Sequence, residues 1–148
     1  MTEREQLRHD IKRQLNSYRE LDAERRQLVD ELDRLEALMR SPGGSNWDGM
    51  PHGSGVSNPV ERMTVKHLTL VDRYHAKLAD LVTAQESIEH LIEGLEPTER
   101  RLARFRYIDG LNWEAVCDRI SYSWMQTHRI HGKLLDKLVE AEMTKRNI

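Results

Sequence analysis

The sequence predicts an all-α chain: a long antiparallel helical (coiled-coil) hairpin followed by a small C-terminal helix-turn-helix domain. Three observations carry that expectation. Apolar residues recur at alternating four- and three-residue steps through residues 3–40. A second stripe of similar length fills residues 60–95, beyond a loop rich in Gly and Pro. Two shorter helical patterns follow within residues 112–138, separated only by Ser121, Tyr122 and Ser123. The hairpin with its loop takes residues 1–96, and the small domain takes residues 97–148.

The first helix has its seam at Leu7, Ile11, Gln14, Tyr18, Leu21, Arg25, Leu28, Leu32, Leu35 and Met39. This is the a/d spacing of a coiled coil. At the rise of an α-helix it spans about 55 Å. Such a helix cannot cover its own apolar stripe and needs a partner. The loop, residues 41–59, reads "SPGGSNWDGMPHGSGVSNP"; its five Gly and three Pro end the helix. Trp47 and Met50 suggest that part of this loop packs.

Asn58 or Ser57 caps the second helix, with Pro59 in its first turn. Its stripe runs Val60, Met63, His67, Leu70 or Val71, Tyr74, Leu78, Leu81, Gln85, Ile88, Leu91 or Ile92, and Leu95. Two matched helices across one loop fold back most simply as a hairpin. A lone hairpin leaves Leu15, Leu38, Val29, Val65 and Val82 uncovered, so a homodimer or higher homo-oligomer is expected.

Charge separates the two parts. Residues 1–98 hold 13 Lys/Arg against 18 Asp/Glu, and residues 99–148 hold 10 against 7. An acidic body with a basic end suits a nucleic-acid binder with its own assembly module. His128 and His131 are expected to add to the basic end. The single Cys117 excludes an internal disulfide and fits a reducing cytoplasm. No apolar run reaches the ~20 residues of a membrane span, and no signal peptide opens the chain. A cytoplasmic location with no membrane partner is expected.

A third helix, about Thr98–Ile108, ends at Asp109-Gly110, with Leu102, Phe105 and Ile108 as its apolar face. Asn112 then caps a helix whose apolar face is Trp113, Val116 and Ile120. Cys117 supplies a small residue where the next helix crosses. Ser121 makes the tight turn, Tyr122 plugs the core behind it, and Ser123 caps the following helix. Thr127, Ile130 and Leu134 point inward. Trp124, Met125, Gln126, His128, Arg129 and Lys133 face out. A join this tight holds two helices at a steep angle and lets the second protrude toward a major groove.

Residues Leu111–Leu138 resemble the region-four DNA-binding domain of bacterial sigma factors. The shared frame is Trp-Glu-x-Val-small-x-Arg-Ile-turn-Tyr-Ser, followed by Ile130, Lys133, Leu135, Lys137 and Leu138. The preceding "EPTERRLARFRYIDGLNW" is similar to that domain's lead-in helix. The whole chain resembles the phage and prophage regulators of the ArpU/RinA type, including a "GMPHGSGVSNPVE" loop at Gly49–Glu61. The resemblance implies regulation of late phage genes in a bacterial host. Three positions depart from the sigma pattern: Ser121 stands where Gly is usual, and Trp124 and Met125 stand where Arg and Glu are usual. These departures point away from a sigma-type promoter element.

With α-helix Ser123–Lys137 in the major groove of double-stranded DNA, base readers are expected at Trp124, Met125, Gln126, His128 and Arg129. Gln126 pairs with adenine and Arg129 with guanine. Trp124 and Met125 pack on a thymine methyl or on sugar. Ser123, Lys133, Lys137, Arg119 and Arg100 are expected to contact the DNA backbone. No metal site is expected: His128 and His131 are three apart on a helix without a placed third ligand. No cofactor is expected, and no nucleophile motif or phosphate loop suggests an enzyme. Two other functions fit the same parts. One is a phage DNA-packaging recognition protein resembling a small terminase subunit. The other is an interaction module for host RNA polymerase or a sigma factor.

Overall fold

A computed structural model describes residues 1–41 and 58–147. The described residues form helices and no strand, so the chain is all-α. Five helices follow in order: α1 Glu3–Arg40, α2 Pro59–Ile92, α3 Pro97–Ala103, α4 Trp113–Ile120 and α5 Trp124–Arg146. A π-helical turn, Arg104–Ile108, extends α3. No helix among the described residues is long and apolar enough to cross a membrane. The loop 41–59, with Trp47, Met50 and most of the Gly49–Glu61 motif, lies largely outside the described residues.

The helix ends follow local chemistry. The Asn58 side chain accepts from the Val60 N–H at 2.9 Å, and Pro59 takes the first turn of α2. That helix closes at Ile92, before the sequence-predicted end at residue 95, and the Leu95 N–H turns back onto the Ile92 carbonyl. Glu96 caps α3, and Glu99 reaches back to the Glu96 N–H, a reciprocal capping box.

Two compact units are present: Met1–Glu20 with Leu81–Ile148, and Leu21–Asp80. These units cut across the segments 1–96 and 97–148 read from the sequence. The reason lies in the larger unit's core. One apolar cluster joins Leu7, Ile11 and Leu15 of α1 and Ile88 and Ile92 of α2 with side chains of α3, α4 and α5. Leu102, Val116, Leu134 and Val139 sit at its fully buried centre. Leu15, expected on an uncovered flank, is completely buried here. Ion pairs Arg4–Glu140, Arg8–Asp136 and Glu3–Arg146 line α5 against α1, and Gln14 donates to Ser87 Oγ at 2.6 Å.

The unit Leu21–Asp80 contains parts of α1 and α2 alone. Leu35 and Leu70 are its buried apolar side chains among the described residues. Glu24 pairs with Lys77, and Glu36 with His67 at 3.1 Å. Asp22 holds Arg25 at 2.9 Å and Arg26 at 3.0 Å. Met39 and Val60, expected in the seam, are exposed; each lies in the terminal turn of its helix. Gln85, also assigned to the seam and lying in the larger unit, is exposed as well: its amide is better solvated than buried. Leu38, Val65 and Leu68 remain more than half exposed.

Candidate nucleic-acid interface

The site is built on α4, α5 and the three residues between them. Asn112 Oδ1 accepts from the Ala115 N–H at 2.9 Å and starts α4 as its side chain predicts. Val116 and Ile120 face inward and are buried, while Trp113 is half-buried. At the C-terminus of α4, Ser121 takes the left-handed conformation (φ 61°, ψ 40°), and the N–H that follows closes on the Cys117 carbonyl at 3.2 Å. This is the tight turn read from the sequence. A left-handed residue there ends the helix within one position and redirects the chain at once.

Ser123 caps α5. Its Oγ accepts from the Gln126 N–H at 3.2 Å, and the Gln126 Oε1 accepts from the Ser123 N–H at 3.4 Å. The Ser123 hydroxyl also reaches Gln126 Oε1 at 3.3 Å. The carbonyl oxygen of Gln126 is therefore turned back onto its own helix. An adenine contact by that residue requires this capping box to open.

Trp124, Met125, Gln126, Arg129 and Lys133 are exposed, in the orientation the sequence predicts. Met125 is 72% exposed and Trp124 53%. Thr127 and Leu134 are fully buried, and Ile130 packs against the core. Tyr122 does not plug the core: it is 41% exposed. The left-handed turn at Ser121 sends the next residue outward, while Ile120 and Thr127 on either side of the turn are buried.

His128 is a second correction. It was expected to face out, but its ring lies 4.6 Å from that of Trp113 and 4.5 Å from that of Trp124. Its Nε2 is buried without a hydrogen-bond partner among the described residues. The Arg106 guanidinium also sits 4.7 Å over the Trp113 indole and donates to the Leu111 carbonyl at 3.0 Å. Burial, and then the neighbouring Arg19, lower the Arg106 pKa from its ordinary value. Four side chains, Arg106, Trp113, His128 and Trp124, thus form one run of successive contacts, the rings tilted on one another, ending at the exposed first residue of α5.

His131 does not add to the basic end. It lies edge-on to Trp113 at 4.7 Å and is bonded to the Tyr107 hydroxyl. Burial, reinforced by His128, Lys12, Arg106 and Arg8, lowers its pKa to about 4, so the imidazole is neutral at neutral pH. The π-helical turn after α3 brings Tyr107 inward to meet it.

The expected backbone cations, together with the expected base reader Arg129, divide into two groups. Among the described residues, Arg119, Arg129 and Lys133 have no carboxylate within ion-pair distance. Arg119 lies 5.9 Å over the Phe105 ring, which Arg101 also covers at 5.8 Å. Lys137, by contrast, donates to the buried Glu99 at 2.7 Å, and that bond raises its pKa. Arg100 reaches the Glu93 carbonyl at 3.4 Å, on the α2 side of α3. The structure therefore brings together Ser123, Trp124, Met125, Arg129 and Lys133 and leaves Lys137 and Arg100 engaged elsewhere. The role of Glu99 and the ring contacts of Trp113 were missed from sequence: Trp124 and His128 stand four apart on α5, but their spacing does not place Trp113 of α4 beside them. No family model, curated protein or solved structure matches the chain.

Proposed function

We propose that the chain is a sequence-specific transcriptional regulator that binds double-stranded DNA, with α4 and α5 as a helix-turn-helix and α5 in the major groove. The observation that carries this reading is the exposed amino end of α5. Its backbone N–H groups, the uncommitted cations Arg129 and Lys133, and the side chains of Trp124 and Met125 share that end. A helix amino terminus attracts phosphate, and adjacent cations hold the duplex in register. Met125, Arg129 and Lys133 recur every four residues and so follow one stripe along the helix.

The long helices supply the assembly module in this reading. In the unit Leu21–Asp80, the partner on α2 moves back along the chain as α1 advances, from Glu24–Lys77 to Glu36–His67. That order fits an antiparallel hairpin. Exposed Leu38, Val65 and Leu68 favour self-association. Two copies would place two α5 helices on paired half-sites. The resemblance to phage and prophage late-gene regulators sets the biological context in the bacterial cytoplasm, with a binding rather than a catalytic role.

Selection of bound duplexes from a random DNA pool, with the full chain at physiological salt, tests the reading. An enriched two-fold repeat is expected, together with a dimer or larger species by mass measurement. A pool that stays random after repeated rounds overturns it. A second reading draws on the exposed Trp124 and Met125, which also suit docking on host RNA polymerase. A polymerase pull-down that survives nuclease treatment would favour it.

A further inference from the structure

We propose that Trp124 and Met125 recognise the 5-methyl groups of thymine, with Trp124 held in place by the ring contacts that His128 completes. This rests on the DNA-binding reading and specifies what the helix reads. Three observations support it. The first is the state of Gln126, whose carbonyl oxygen is engaged by Ser123, so the first turn offers no free paired donor and acceptor. The second is exposure: Trp124 at 53% and Met125 at 72% are large apolar groups presented next to an uncompensated basic stripe. Charge brings a polyanion to this face, and the groups that then meet the base edges are apolar. In the major groove, the thymine methyl is the apolar feature that distinguishes one base pair from the others.

The third observation is order. An exposed tryptophan on a helix end loses side-chain freedom when it binds. Here its ring is already fixed against His128 at 4.5 Å, His128 against Trp113 at 4.6 Å, and Trp113 beneath Arg106 at 4.7 Å. Arg106 is anchored in turn on the Leu111 carbonyl. His128 is thereby a positioning residue. Its ring nitrogen Nε2 is buried.

The test uses the duplex obtained from the random pool. Each thymine is replaced singly by deoxyuridine, which removes the methyl and keeps the base pairing. Binding of the full chain is then measured by fluorescence anisotropy. Removal of a contacted methyl is expected to weaken binding about four-fold. In Trp124→Ala or Met125→Ala, the same replacement should have no further effect. His128→Ala should lose the discrimination and His128→Phe should retain it, with helix content checked by circular dichroism for each variant. A selected duplex that ignores methyl removal, or that loses the same affinity in Trp124→Ala and Met125→Ala, overturns this inference and leaves the regulator reading standing. Discrimination retained in His128→Ala overturns the positioning role. A pool with no enriched duplex removes the reading itself, and this inference with it.

Discussion

The Tyr107 hydroxyl and the His131 imidazole meet across the larger unit, one from the π-helical turn and one from α5. Burial raises the Tyr107 pKa and lowers that of His131 to about 4. The phenol therefore keeps its proton and the imidazole stays neutral, and the two share one hydrogen bond. Neither group is free to change charge without cost to the core that holds it.

A pH dependence of stability follows. An unfolded His takes up its proton near 6.5, whereas His131 in the fold does so near 4. Between those values the unfolded chain binds more protons, so unfolding is favoured as pH falls. The contribution is fully present above 6.5 and is lost on the way down to about 4. It amounts to about 2–3 kcal/mol after solvent screening. Urea unfolding at pH 7.5, 6, 5 and 4.5 should show falling stability, with a shallower fall in His131→Gln. Equal slopes for the two chains would remove His131 as the cause.

Ser121 carries a φ of 61°, a conformation that costs a residue with a Cβ about 1–2 kcal/mol. Glycine adopts it freely but gives up more entropy on folding. Ser121→Gly should therefore stabilise the chain by about 0.5–1 kcal/mol. Ser121→Val, branched at Cβ, should destabilise it. The urea midpoints of the three chains provide the check, and a glycine variant weaker than the parent would contradict this account of the turn.

Helix starts were legible because they depend on neighbours in sequence: Asn58, Asn112 and Ser123 each cap the helix that follows. The length of α1 was legible because no Gly or Pro interrupts its four–three stripe. Side chains that depend on a third helix were not. A two-helix seam leaves Leu15 on a flank, yet it is buried in a cluster that also holds Leu135, Leu138 and Val139 of α5. His128 was read as outward from helical spacing alone. Spacing along α5 contains no information about Trp113, which α4 delivers. Tyr122 was assigned inward because a large residue after a tight turn commonly fills the core. The direction taken after Ser121 decides that, and it sends Tyr122 out.

Thr127 is fully buried, and its Oγ1 has no hydrogen-bond partner among the described residues. A buried hydroxyl left unsatisfied costs about 1–3 kcal/mol. Thr127→Val keeps the shape and removes the hydroxyl, so it should be neutral or stabilising by about 1 kcal/mol. Thr127→Ser keeps the hydroxyl and removes a methyl, so it should lose about 1 kcal/mol. Thermal melts of the two variants should shift in opposite directions. A valine variant that melts well below the parent would mean that the hydroxyl has a partner.

Lys133 and Lys137 lie one helical turn apart on α5 and carry the same charge, but their surroundings separate their roles. Lys133 is exposed with no described carboxylate beside it, whereas Lys137 is bonded to Glu99, itself buried and part of the α3 cap. Removing a free cation from a DNA-binding face weakens binding to every sequence alike and lowers the salt slope by about one. Removing a cation already neutralised within the fold leaves a buried carboxylate without its partner. Lys133→Ala should therefore reduce affinity for the selected duplex and flatten its dependence on salt, with no change in melting temperature. Lys137→Ala should lower the melting temperature and leave the salt slope intact. Glu99→Gln combined with Lys137→Ala should recover part of that loss, because the uncompensated charge is gone. The decisive comparison is the pair of salt titrations: identical slopes for Lys133→Ala and the parent chain would take Lys133 off the interface, and a reduced slope for Lys137→Ala would put Lys137 back on it.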